Sequence, residues 1–157
     1  MSLGARGSIA QAKLKTIADK RLRRRVWALY DGRGISTEQY VWWKMRTDPI
    51  FKRIDTVVPK RGEIVDAGCG AGLMSNLLAL ASHDRHIVGV DFDLEKMGSA
   101  HDSSLQIRNV QFAQADLLEW HFPPADAVLL IDVLHYWSPE KQAALIGKAA
   151  DCLLPGG

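Results

Sequence analysis

Cysteine is scarce in this chain: 157 residues carry two, Cys69 and Cys152. One sits among glycines and the other at the end of a helical pattern. Two thiols in such unlike settings build neither a disulfide framework nor a thiolate metal site, and a reducing cytosol is the expected compartment. Long apolar runs are also missing. None approaches the roughly 20 residues of a membrane-spanning helix, and the start lacks the apolar core of a signal peptide. His83, His86, His101 and His121 share no ligand spacing, so no metal site is expected. Basic residues are sparse beyond residue 61: residues 62–157 hold five Lys/Arg against 13 Asp/Glu, whereas residues 1–61 hold 15 against five. One segment is basic and the other acidic, and the net charge of +2 conceals this.

What is present suffices for one folded domain with a hydrophobic core, since 47% of residues are hydrophobic and 24% charged. Residues 8–31 place Ile9, Leu14, Ile17, Leu22, Val26 and Leu29 at helical intervals among Lys and Arg. "DGRG" breaks that helix. Ser36 followed by Gln39 reads as a capping box opening "TEQYVWWKMRT", and Asp48-Pro49 starts a third helix, "PIFKRIDTVV". From residue 63 short apolar runs alternate with helical stretches. The predicted strands are "EIVDA", "HIVGVD", "VQFAQA" and "DAVLLIDV". Helices are predicted over about 71–82, over "DLEKMGSAHDSS" with Asp93 as cap, and from Ser138-Pro139 to about Leu153. This rhythm predicts an α/β fold: a mostly parallel, Rossmann-like sheet (residues 62–157) sandwiched by helices, with a basic α-helical cap (residues 1–61).

The stretch "EIVDAGCGAGL" runs a strand into Gly68, Gly70 and Gly72, a turn that lets a ligand lie against bare backbone. A dinucleotide fingerprint wants a further glycine at position 73, where Leu73 stands. Asp66, at the strand tip, would repel a pyrophosphate but attract an ammonium. Asp91 closes the second strand 21 residues after Gly70, the range in which a carboxylate takes both hydroxyls of a ribose. Asp116, after the third strand, can accept from an exocyclic amino group, and Phe92 can cover a flat base. Ammonium, ribose and adenine thus each have a partner at one sheet edge.

On these residues the chain resembles the class I S-adenosylmethionine-dependent methyltransferases. "VDAGCGAG" looks like their first motif, "VGVDFD" their second, "AQADLLEW" their third, "DAVLLIDVLHYW" their fourth and "LLPGG" the turn before their fifth strand. The resemblance implies S-adenosylmethionine as cofactor. Asp66, Gly68 and Gly70 would line its methionine part, Asp91 hold the ribose and Phe92 flank the adenine. Asp116 and the Leu117 backbone would read the adenine edge, and Asp132 would lie beside the sulfonium. It also implies methyl transfer to a small molecule, free, carrier-bound or lipid-like, and seven strands in the order 3-2-1-4-5-7-6. The later strands are absent from this chain, which suggests a truncated domain with an exposed fourth strand open to self-association. "DVLHYW" departs from the Asn- or Asp-Pro-Pro-aromatic run common in methylases of nucleic-acid bases, so a nucleic-acid acceptor is disfavoured.

His135 is the candidate general base, because an imidazole takes up protons near neutral pH; the competing reading is a purely local hydrogen bond. Tyr40, Trp42 and Trp43 are candidates for an aromatic lid, with Lys44 or Arg46 meeting a carboxylate. Helix geometry cannot point both tryptophans inward. "KRLRRRVW" is either a solvated helix face or a dock for an anionic partner. Two alternatives therefore stand beside the enzyme: a cofactor-binding or regulatory module without turnover that docks an acidic partner, and a nicotinamide oxidoreductase, which Leu73 and Asp66 disfavour.

Overall fold

A computed structural model describes residues 20–157. The part of the first predicted helix before residue 20 lies outside the described residues. Its continuation is α1 (Lys20–Ala28), followed by α2 (Ile35–Thr47) and α3 (Ile50–Val57). Then come β1 (Gly62–Ala67), α4 (Leu73–Ala81), β2 (Arg85–Asp91), α5 (Leu94–Ser104), β3 (Val110–Gln114), β4 (Ala127–Leu129), a 3-10 turn (Leu134–Tyr136) and α6 (Pro139–Asp151).

The four strands form one parallel sheet in the order β3-β2-β1-β4. Both β1 and β2 are apolar on their two faces, the pattern of strands covered by helices on each side. The order matches the expected 3-2-1-4. The fourth strand is shorter than its apolar run suggested: three residues pair with β1, and the chain leaves the ladder at Leu130. Leu153, after α6, bridges in parallel to Ala125 just ahead of β4.

Helix starts follow the sequence in three of four places, α6 opening at Pro139 behind Ser138 as predicted. Asp93 caps α5 by accepting from the N–H groups of Glu95 and Lys96, and Asp48 Oδ1 accepts from Ile50 N–H at 3.0 Å at the start of α3. The capping box at Ser36 does not form. The helix opens two residues earlier, at Ile35 behind Gly34, so Ser36 falls inside the first turn and Glu38 instead accepts from the N–H of Gly32.

The core continues from the sheet into the cap. Leu22, Val26 and Tyr30 pack with Val41, Met45, Phe51 and Ile54 against Leu73, Leu77 and Leu78 of α4 and Ile64 and Ile87 of the sheet. Each fully buried Leu or Ile contributes roughly 1.5–3 kcal/mol by leaving water. A charged strut joins α3 to the sheet. Arg85, wholly buried, pairs with Asp55 at 2.8 Å and donates to the carbonyls of Val58, Pro59 and Leu78. Lys60 closes the second oxygen of Asp55 at 2.5 Å.

Candidate functional site

The glycine turn works through backbone geometry. Gly68 has φ 84°, and a Cβ there would stand 2.5 Å from Val133 Cγ2, so only glycine fits between β1 and the loop after β4. Gly70 has φ 55°, and a Cβ at that position would meet nothing nearer than Lys96 Cδ at 3.9 Å, so its backbone lies bare. The N–H groups of Gly68 and Cys69 donate to the Val90 carbonyl, tying the turn to β2. From the other side Tyr30, fully buried, donates its hydroxyl to the Ala71 carbonyl at 2.9 Å and accepts from Asn76 at 3.0 Å. Burial pushes the Tyr30 hydroxyl up to about 12, so it stays a donor at every physiological pH.

The turn opens onto a cavity of roughly 970 Å³, within the usual range for a small-molecule or cofactor site. Asp66, Gly68, Gly70, Asp91, Phe92, Leu117, Asp132 and His135 all line it, so eight of the nine residues expected to bind the cofactor or act as base converge. Asp116 is the exception. It is exposed, outside the lining, and its Oδ1 accepts from Leu118 N–H at 2.9 Å, making it the former of the turn that carries Leu117.

Two carboxylates define the inner wall. Asp66 is 2% exposed, and its Oδ2 accepts from Ser75 Oγ at 2.6 Å. Burial pushes its pKa up from 3.8 to about 6; the Ser75 hydrogen bonds oppose the rise and the charge of Asp91 adds to it. Asp91 accepts from Gly70 N–H at 2.8 Å through one oxygen and from Asp93 N–H at 3.0 Å through the other. Each oxygen retains acceptor capacity for a ligand. Phe92 is 70% exposed, its ring available to a flat group.

The outer wall comes from α2 and from the loop after β4. Lys44 reaches from α2 to Asp132 Oδ2 at 2.7 Å and to Asp48 Oδ2 at 3.2 Å, and the Asp132 hydrogen bond raises the ammonium's pKa. Asp132 holds φ 55°, alone among described non-glycine residues in the left-handed region. His135 is exposed in the 3-10 turn with its ring centroid 4.1 Å from that of Tyr136. Tyr40 lines the cavity as a lid residue would, but Trp42 and Trp43 do not. They face an open groove of about 730 Å³ with Trp27, and Arg46 lies 5.3 Å over the Trp42 ring rather than in the site. The α2 face that buries Val41 and Met45 turns the tryptophans outward.

Burial also pushes the Cys69 thiol strongly upward, which excludes it as a nucleophile. Among the described residues no cluster of His, Cys, Asp and Glu could hold a metal, and no helix is long and apolar enough to cross a membrane. Sequence reasoning missed Ser75 and Asn76. Their signal was two polar residues inside the otherwise apolar "LMSNLLALA"; both are fully buried.

Residues 64–157 match the family model described as a methyltransferase domain. A trans-aconitate 2-methyltransferase of Sinorhizobium fredii (strain NBRC 101917 / NGR234) is 31% identical over 96 residues, covering 61% of this chain and 36% of that protein. A ubiquinone biosynthesis O-methyltransferase of Xylella fastidiosa (strain 9a5c) is 35% identical over 118 residues, covering 72% and 45%. Among solved structures, an O-methyltransferase family 2 protein from Planctomyces limnophilus DSM 3776, crystallised in complex with apigenin, aligns with a TM-score of 0.60 at 25% identity, covering 68% and 36%. The chain spans less than half the length of each of these three relatives.

Proposed function

This chain belongs to the methyltransferase-domain family, and on that premise we propose that its cavity binds S-adenosylmethionine for transfer of a methyl group to a small-molecule acceptor. The observation that carries the reading is the convergence of Asp66, Asp91 and the bare backbone of Gly70 on one cavity at the carboxyl edge of a parallel sheet. The residues suit the cofactor: a cationic ammonium, a ribose diol and a flat base each meet a group of matching chemistry.

When bound, S-adenosylmethionine supplies a methyl group already activated on a sulfonium sulfur. The chain's own residues bind, align and exclude water. Asp66, once ionised, meets the ammonium, and Ser75 holds its carboxylate in place. Asp91 accepts from the ribose hydroxyls while its bonds to Gly70 and Asp93 fix its rotamer. Phe92 covers the base, and Leu117 closes the apolar side. Tyr40 and Lys44 of α2 and Asp132 of the facing loop form the wall against which an acceptor lies, and His135, which lines the same cavity, takes up an acceptor's proton in this reading.

Calorimetric titration with S-adenosylhomocysteine, with NAD as control and Asp91→Ala in parallel, tests the reading. Binding of the sulfur compound, absent for NAD and weakened about 30-fold or more in the variant through loss of charge-assisted hydrogen bonds, is the expected result. Equal affinity for NAD, or an Asp91→Ala variant as tight as the parent, would refute it.

A further inference from the structure

The outer wall of the cavity carries an arrangement of charge that bears on what the acceptor can be. Two lysines, Lys44 and Lys96, stand with His135 on the described lining, and both are already paired. Lys96 sits 3.3 Å from Asp93. Lys44 is shared by two carboxylates, Asp132 at 2.7 Å and Asp48 at 3.2 Å. The Asp48–Lys44–Asp132 triad therefore has one negative charge in excess, and the lining also holds Asp66, Asp91, Asp93 and Glu95. The same cavity is also lined by aromatic residues, Tyr40, Phe51, Tyr136 and Trp137, of which Tyr136 is largely exposed.

We propose that Asp48 and Asp132, by sequestering Lys44, make this wall select planar aromatic acceptors that are uncharged or cationic and reject carboxylated ones. This rests on the cavity being the cofactor site described above. Among the described residues of the lining an acceptor carboxylate would find no uncommitted lysine or arginine, and it would approach the triad's excess negative charge. One unit charge about 6 Å away in a half-solvated site, at an effective dielectric of about 40, changes affinity roughly tenfold. Aromatic rings on the wall supply contact area that does not depend on the acceptor's charge. Geometry makes the two aspartates specific in this role. Asp132 is held in a left-handed backbone conformation, and the Oδ1 of Asp48 is engaged by Ile50 N–H, leaving Oδ2 for Lys44.

The test uses three ligands that share one ring: catechol, 3,4-dihydroxybenzoate and dopamine, which are neutral, anionic and cationic. Each is titrated into the chain saturated with S-adenosylhomocysteine. Catechol and dopamine are expected to bind about tenfold or more tightly than the benzoate. In Asp48→Asn/Asp132→Asn, Lys44 is released and the triad's net charge goes from −1 to +1, so the benzoate should gain about a hundredfold relative to catechol. In Lys44→Gln, which leaves two uncompensated carboxylates, dopamine should gain relative to catechol, an effect of opposite sign that general loosening would not produce. Equal affinities for the three rings, benzoate as the preferred ligand, or no ring bound by the S-adenosylhomocysteine-loaded chain would overturn the charge selection and leave the cofactor assignment standing. Failure to bind S-adenosylhomocysteine would instead overturn the assignment of the cavity, and this inference with it.

Discussion

Asp66 sets function against stability in a way that can be measured. Its side chain is buried with Ser75 Oγ as its side-chain donor, and its pKa rises from 3.8 to about 6, mainly because burial disfavours the charge. The sign follows from linkage. The folded state holds the proton more tightly than the unfolded chain, so the contribution to stability is fully present below about pH 4 and is lost as pH rises through about 6. At 1.36 kcal/mol per pH unit the loss is roughly 3 kcal/mol, and the group is buried enough that solvent screening does not reduce it much. Ligand binding runs the other way, because an ammonium needs the carboxylate ionised. With a pKa of about 6, roughly nine-tenths of the sites are ionised at pH 7 and one-tenth at pH 5. Affinity for S-adenosylhomocysteine should therefore fall about tenfold from pH 7 to pH 5, with proton release on binding near pH 6. Calorimetry in two buffers of different ionisation enthalpy measures both. Asp66→Asn should bind weakly with a flat pH profile. In urea titrations it should be more stable than the parent at pH 7.5, with the difference shrinking towards pH 4.5. An Asp66→Asn variant that keeps the parental pH profile of binding would refute the assignment of this proton to Asp66.

The glycine turn makes a paired prediction. Gly68→Ala, strained in φ and facing Val133 at 2.5 Å, should cost about 2–4 kcal/mol in urea unfolding, whereas Gly70→Ala, with open space around it, should cost about 1 kcal/mol and chiefly weaken ligand binding. Asp55→Ala should destabilise the fold by about 3–5 kcal/mol because it strands the buried Arg85 guanidinium, while Asp55→Ala with Arg85→Met should recover part of that loss, read from denaturant midpoints. Tyr30→Phe removes the donor to the Ala71 carbonyl and the acceptor for Asn76, and should cost about 1–3 kcal/mol, with faster amide exchange in the glycine turn as its signature.

The sequence determined by itself a parallel sheet covered by helices, with acids at its strand tips, whereas the strand order was implied by the resemblance to the class I methyltransferases. The sheet and its acids follow from near-neighbour patterns: apolar runs of strand length, helical periodicity and acids at strand tips are all local. Asp66, Asp91 and Phe92 were legible for the same reason, since a strand end fixes where its last side chains emerge. The tertiary structure decided what depends on contacts between distant segments. Lys44 meets Asp132 across 88 positions, Tyr30 meets Ala71 across 41, and Arg85 donates to the Val58 carbonyl across 27. No local pattern specifies such pairs, because they arise only when separate helices and loops are brought together by the shared core. Asp116 marks the same boundary from the other direction: its place after β3 suggested a ligand contact, and only the packed turn shows that its Oδ1 accepts from Leu118 N–H. The tryptophans of α2 were likewise undecidable from their helix, because only packing fixes which face turns inward, and Val41 and Met45 took the buried side.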